Sequence, residues 1–434
     1  MKPPPVIAPF LTLFLSFALL ITGSGLLGTL VSVRMTIEWF PIGTIGLINA
    51  AYSVGFILAA RLASPIISRV GHIRSFAAFC AVAASSTLSF PLLIDPWLWG
   101  LTRALFGFSM AGLFMVVESW LNDRAAPAQR GQILGIYSVV SYLGYGAGQF
   151  MLLLGEPSGF ELFSVAAMLL ALALVPVTAL RTASPELIEV HPMPLKQLYR
   201  ASPLGLVTAA GAGVLLGAFL MMAPVAARGL EFSPRDIALL MGLTVVGGFL
   251  LQWPIGRLSD RYNRRLVIAV VSLATAVLGS GMVFSTGFGG VPALIAVAVL
   301  WGGFASTLYP LAVALTTDFV APRELLGTSA KLLLLYGLGM VAGPLLTSVL
   351  MSRLGPAGLF WTVTGAALVL SAYAGLRQIM GPVLDVEAAG SYRMVPRNTP
   401  LASAMDPRGE PEQLELDFEG AGDAPSATDH GATS

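Results

Sequence analysis

Apolar residues run through this chain in long blocks, with polar residues confined to short breaks between them. A helix crossing a ~30 Å hydrocarbon layer needs ~20 mostly apolar residues. Runs of that length occupy approximately 7–33, 43–64, 75–94, 97–120, 131–153, 161–180, 204–226, 236–255, 266–286, 291–315, 328–350 and 358–380, twelve in all. Unbroken stretches such as Leu162 to Leu180 lack the two-residue alternation of a barrel strand, so the pattern predicts an all-α membrane protein. The first run follows Lys2 and contains Gly23 and Gly25, but it is about twice the ~7–15 residues of a signal-peptide core and has a counterpart later in the chain; it reads as a retained helix.

Composition narrows the class. Of 434 residues, 56% are hydrophobic and 11% charged, against about 25% charged in a soluble chain. Soluble enzymes, nucleic-acid binders and secreted scaffolds are excluded, and the lipid bilayer is the first partner. The net charge of +1 conceals two opposed parts: residues 381–434 carry ten Asp/Glu against three Arg, and the first 380 residues carry 21 Lys+Arg against 13 Asp+Glu. Basic residues in short loops set orientation. With the N-terminus inside, fifteen basic residues face the cytoplasm and four, Arg34, Arg228, Arg235 and Arg353, face out. Both termini are therefore expected on the cytoplasmic side of the cell inner membrane. The single cysteine, Cys80, and three histidines, His72, His191 and His430, form no metal-ligand pattern. No G-x-x-x-x-G-K-[ST] loop occurs. No cofactor, metal or catalytic residue is expected.

The two halves of the chain read as copies offset by 192 to 195 residues. Phe40-Pro41 answers Phe232-Ser233-Pro234, Gly55 answers Gly247, the stretch Ser64 to His72 answers Gly256 to Arg264, and Leu143 to Gly148 answers Leu338 to Gly343. An offset of six spans preserves direction, which gives parallel repeats about an axis along the membrane normal. The expected domains are an N-terminal six-helix bundle (1–180), a Pro-rich cytoplasmic linker (181–203), a C-terminal six-helix bundle (204–380) and a disordered acidic cytoplasmic tail (381–434).

The run Gly256-Arg-Leu-Ser-Asp260-Arg261-Tyr-Asn-Arg264-Arg265 resembles the cytoplasmic loop motif of the major facilitator superfamily, and the twelve-span layout over residues 1–380 agrees with it. The stretches Val116-Val-Glu118-Ser119, Gln252-Trp253-Pro254-Ile-Gly256 and Thr307-Leu-Tyr309-Pro310 resemble that superfamily's uncharacterised YcaD-like branch. The first-half copy departs from the motif, with Ser64 and Ser68 in place of Gly and Asp ahead of Arg69. The resemblance implies the major facilitator fold, with two six-helix halves rocking about a cavity lined mainly by spans 1, 4, 7 and 10. It also implies that Gly256, Asp260, Arg261, Arg264 and Arg265, with Arg69, form a latch at the cytoplasmic gate. By pseudo-symmetry Asp260 would meet the start of the fifth span, around Gln129 to Gly131. The alternative is that these arginines only enforce topology.

Charges inside the spans are few. Arg103 and Glu118 share one face of the fourth span, ~22 Å apart, so each needs its own partner or a watery cavity. Arg103-Ala-Leu-Phe-Gly107 resembles an R-x-x-x-G element associated in the superfamily with proton coupling or with an anionic substrate group; a snorkelling structural arginine is the competing reading. Glu118 is a proton carrier or a fixed member of a cytoplasmic ion-pair network, and Lys331 lies at a similar depth to pair with it. Asn49, Tyr52, Gln149 and Gln252 either line the substrate route or hydrogen-bond between helices. The expected function is a secondary active transporter moving a small organic solute by alternating access, with proton coupling. A transporter-like sensor signalling through its acidic tail is the alternative. The sequence does not set the oligomeric state, and a monomer suffices for this architecture.

Overall fold

A computed structural model describes residues 10–126, 129–178, 194–320 and 324–380. Within these residues the chain is helical, without strands. The elements in order are α1 (Leu11–Ile37), α2 (Ile42–Val70), α3 (His72–Leu92), α4 (Pro96–Arg124), α5 (Arg130–Phe150), α6 (Glu161–Leu172), α7 (Leu174–Thr178), α8 (Leu195–Ala201), α9 (Pro203–Gly229), α10 (Pro234–Arg261), α11 (Arg264–Phe288), α12 (Gly290–Thr317), α13 (Leu325–Leu354) and α14 (Ala357–Met380). The expected acidic tail and linker residues 181–193 lie outside the described residues; the rest of the linker contains α8.

Among the described residues, eleven helices are long and apolar enough to cross a membrane, α6 and α7 forming one span. The sequence count of twelve is one higher because α5 does not meet that standard. Its 21 residues include Arg130, Gln132, Gln149, three tyrosines and five glycines. Such a helix is tolerated because it packs along α1 and α10, which spare it much of the lipid contact. Elsewhere the exterior is apolar, with Leu47, Leu101, Leu250 and Val277 exposed as befits a lipid-facing surface.

Local chemistry fixes the helix starts. The Asp95 carboxylate accepts from the Leu98 N–H at 2.8 Å ahead of α4, Ser233 and Asp236 form a capping box at α10, and Asn263 caps α11.

The internal repeat recurs in the contacts. At the end of α1 the Phe40 N–H reaches the Met35 carbonyl, with Trp39 at φ 58°; 192 residues later Phe232 reaches Ala227, with Glu231 at φ 62°. Two non-glycine residues thus adopt the left-handed conformation at matching turns. Gly55 faces the Ala104 carbonyl between α2 and α4 so closely that a Cβ would collide, and Gly247 does the same with Val299 between α10 and α12. Gly148 on the Thr22 backbone and Gly343 on the Val214 backbone repeat the relation for α1/α5 and α9/α13. Close crossings of this kind need a residue without a side chain.

The connections α1–α2 and α9–α10 lie on one face, termed the Phe40 face; α2–α3 and α10–α11 lie on the opposite, Gly71 face. The halves of the chain meet where Gly46 packs on Ser348, Ile57 on Gly337, Tyr142 on Phe249 and Phe150 on Gly242. These contacts lie at the middle of the helices or nearer the Phe40 face.

Candidate functional site

Between the halves is a partly open cavity of about 100 Å³. Phe17, Ile21, Ser24 and Gly28 of α1, Tyr52 of α2, Arg103, Phe106 and Phe114 of α4, and Ser141, Tyr142 and Tyr145 of α5 line it from the first half. Leu220 and Met221 of α9, Val245 of α10 and Met340 of α13 complete it. The expected spans 1, 4 and 7 contribute as α1, α4 and α9, but the tenth, α12, supplies none of the lining residues. Instead α12 buries Trp301 against Phe219 at 4.5 Å and presses Gly302 onto the Thr244 backbone. Helices α2, α5, α10 and α13 take its place.

One cation stands in this largely apolar and aromatic wall. Arg103 is 3% exposed. Its Nη2 donates to Asn49 Oδ1 at 2.9 Å, and its Cζ lies 5.5 Å from the centre of the Tyr52 ring. Its Nε has no hydrogen-bond partner, and among the described residues no carboxylate pairs with it. The buried position argues against a snorkelling arginine. The residue 195 positions later is Ala298, so the repeat does not duplicate the charge.

Asn49 and Tyr52 both contact Arg103; Tyr52 lines the cavity, and Asn49, which is not among the lining residues, bonds between helices. Its Nδ2 donates to the Met221 carbonyl of α9 at 3.0 Å, and Ser32 Oγ donates to the same carbonyl at 3.0 Å. Gln149 is elsewhere: it accepts from Thr29 and donates to the Gly25 carbonyl at 2.9 Å, stitching α5 to α1. Gln252 is fully buried with neither amide atom hydrogen-bonded.

Glu118 is completely buried near the Gly71 face, where it accepts from the Tyr137 hydroxyl of α5 at 2.8 Å and acts electrostatically on Tyr309 of α12. Lys331 is half-buried on α13, and no ion pair joins it to Glu118 among the described residues. The carboxylate instead belongs to a tyrosine-rich region, with the Tyr309 and Tyr336 rings tilted against each other at 4.8 Å.

Part of the loop motif is bonded within the second half. Arg264, 3% exposed, donates from Nη2 to Asp260 Oδ1 at 3.1 Å and from Nη1 to Asp318 and to the Ala314 carbonyl, joining α10, α11 and α12. Arg265 is buried with its N–H on the Asn263 cap, Gly256 is buried, and Arg261 and Arg69 are exposed. Asp318 was not singled out from sequence, although Asp123 stands 195 residues before it. In the matching first-half place His72 replaces Arg264, and its Nε2 meets Ser119 Oγ at 3.0 Å. Ser32, Tyr145 and Met221 were also missed: a serine, a tyrosine and a main-chain carbonyl carry no pattern that marks them among other intramembrane residues.

A family model described as Major Facilitator Superfamily matches residues 13–233 and 205–379. An uncharacterised MFS-type transporter of Yersinia pestis is 33% identical over 370 residues, covering 83% of this chain and 94% of that protein. The uncharacterised MFS-type transporter YcaD of Escherichia fergusonii is 29% identical over 389 residues, 87% of this chain and 98% of that one. The crystal structure of a variant of the nucleoside transporter NupG shares the fold, with a TM-score of 0.72 at 13% identity over 84% of this chain and 98% of that chain. The chain belongs to the Major Facilitator Superfamily and, with the relatives named for it, is a multi-pass membrane transporter rather than an enzyme.

Proposed function

We propose that the protein is a secondary active transporter that carries a small organic anion with an apolar or aromatic body across the cytoplasmic membrane by alternating access. In this reading α1–α7 and α9–α14 form the two rocking bundles, α5 is the twelfth crossing, and the Gly71 face is cytoplasmic, as are both termini. The observation that carries the substrate class is Arg103: a buried guanidinium facing the cavity, with its Nε unpartnered and no carboxylate beside it. An isolated charge at that depth costs several kcal/mol, and a substrate carboxylate would supply its missing partner. The surrounding Phe17, Phe106 and Phe114 favour an apolar remainder.

Proton coupling is assigned to Glu118, the buried carboxylate at the far end of α4. The test is uptake of a radiolabelled carboxylate panel, benzoate first, into proteoliposomes with and without a pH gradient. Arg103→Ala should abolish uptake, and Arg103→Lys should retain a part, since an ammonium keeps the charge but not the planar fork. Glu118→Gln should leave counterflow intact while removing the response to the gradient. Uptake of neutral solutes that is indifferent to Arg103→Ala would overturn the anion reading.

A further inference from the structure

The amide of Asn49 performs two tasks that belong to different parts of the molecule. Its Oδ1 accepts from Arg103, which lines the cavity, at 2.9 Å. Its Nδ2 donates across the seam to the Met221 carbonyl of α9 at 3.0 Å and lies 3.7 Å from Met222 Sδ. Ser32 Oγ reaches the same carbonyl at 3.0 Å, so one oxygen of the second half is held by α1 and α2 together. Asn49 and Ser32 are both fully buried, and Met221 lines the cavity. The three residues thus close the cavity towards the Phe40 face. Pro224 stands in the next turn of α9, where the missing N–H makes the helix easiest to bend.

An amide has one oxygen and one nitrogen in a fixed plane, so its two ends cannot be aimed independently. While Nδ2 is on Met221, Oδ1 is directed at the guanidinium and holds one of its donors, which leaves Nε and the remaining N–H groups for a ligand. If α9 swings away to open the seam, both bonds to Met221 are lost; Asn49 then keeps Arg103 and the longer 3.3 Å contact from Nδ2 to Ser32 Oγ as its partners, and Arg103 is held less firmly in its orientation. The closed seam is then the state in which Arg103 is pre-organised. By linkage, a ligand that binds the pre-organised arginine more tightly also favours the closed seam.

We propose that Asn49 is a positioning residue that couples the aim of Arg103 to closure of the outer seam. The proposal rests on the reading of Arg103 as the anion anchor, and the experiment separates the two. Ser348→Cys is placed in the full-length chain, where residue 348 is 3% exposed and packed against Gly46 in that seam. Its labelling by a membrane-impermeant maleimide added from outside reports seam opening. Cys80 is buried and stays in place, its background measured on the parent chain.

Without any ligand, Asn49→Ala should raise the labelling rate about tenfold, the effect of losing roughly one to two neutral hydrogen bonds. Ser32→Ala leaves the Asn49 bond and should give a smaller rise. Asn49→Asp keeps an acceptor for Arg103 but sets a carboxylate oxygen against the Met221 carbonyl, and should open the seam at least as much as alanine. Equal labelling of parent and all three variants overturns the seam role, whatever the protein transports.

Benzoate is then added. It should slow labelling of the parent and fail to slow that of Asn49→Ala, while isothermal titration still detects benzoate binding to that variant. Unaltered protection by benzoate in Asn49→Ala overturns the coupling. If benzoate does not bind the parent, the anion reading fails, and the ligand-free labelling still decides whether Asn49 holds the seam.

Discussion

A guanidinium enclosed among Phe106, Phe114 and Tyr52 with a neutral amide for its one hydrogen-bonded partner is not an arrangement that stability alone favours. A charge at bilayer depth costs several kcal/mol unless it is paired or hydrated, so Arg103 opposes the fold when the cavity holds no anion. This yields a prediction that separates a functional arginine from a structural one. Arg103→Met, which keeps the length and removes the charge, should raise the melting temperature of the purified ligand-free protein by a few degrees, about 1–3 kcal/mol, while removing uptake of the carboxylate panel. A fall in melting temperature would make Arg103 a structural residue. Arg264 of the loop motif is predicted to behave oppositely because its partners are present. Arg264 is joined to Asp318, whose side chain is 13% exposed, and to Asp260, which is 32% exposed. Asp318→Ala should therefore destabilise the protein by up to about 3 kcal/mol, since it takes the more buried of two carboxylates from a buried cation. Asp260→Ala should cost about 1 kcal/mol or less, because solvent already screens that carboxylate. Thermal unfolding monitored by intrinsic fluorescence checks the order; equal losses would mean that exposure does not rank the two partners.

Between residue and whole molecule stand the helix pairs, and these are built on glycine. The α2/α4 crossing sets Gly55 against the Ala104 carbonyl and Gly107 against the Tyr52 carbonyl, and the α10/α12 crossing repeats both relations with Gly247 and Gly302. Because the obstacle is backbone oxygen rather than a flexible side-chain end, a methyl group cannot be accommodated by a rotamer change. Gly55→Ala and Gly247→Ala should each destabilise the protein by at least about 1–3 kcal/mol, the usual cost of overpacking. Gly100→Ala and Gly365→Ala, where a Cβ meets nothing within 4 Å, should be neutral within ~0.5 kcal/mol. Detergent thermal shifts on the four variants decide it. Much of this level was legible beforehand: the apolar runs located the helices, and the Gly55/Gly247 and Gly148/Gly343 correspondences were visible as spacing. What spacing does not contain is rotation about the helix axis. Gln149, polar and near the end of α5, looked equivalent to Asn49 in one dimension, yet one stitches α5 to α1 and the other faces Arg103 and Met221. The sequence count of twelve took α5 as a span by the length of its run, and its place beside α1 and α10 fits a helix more polar than the other eleven.

At the scale of the whole molecule, symmetry in the framework coexists with asymmetry in the chemistry. Backbone turns at Trp39 and Glu231 and glycine crossings match at 192 to 195 residues, but Arg103 corresponds to Ala298, Asn49 to Met241 and Glu118 to Val313. The repeat supplies two bundles able to rock, and the first half alone supplies the charged groups of the proposed cycle. Sequence comparison between halves shows the framework because glycine and turn residues are constrained in both copies; it cannot show a site that has only one copy. Rocking requires the seam near the Phe40 face to part, and α2 and α13 form a long stretch of it, with Ile57 lying against Gly337. Cysteines introduced together at positions 57 and 337 are within reach of a disulfide. Oxidation should then trap the closed seam and reduce carboxylate uptake to background, with recovery on reduction by dithiothreitol. The single replacements should transport under both conditions, since buried Cys80 offers no accessible partner. Undiminished uptake by the cross-linked double variant, with the bond verified by mass spectrometry, would mean that transport proceeds without parting of this seam and would set aside alternating access by rocking of the two halves.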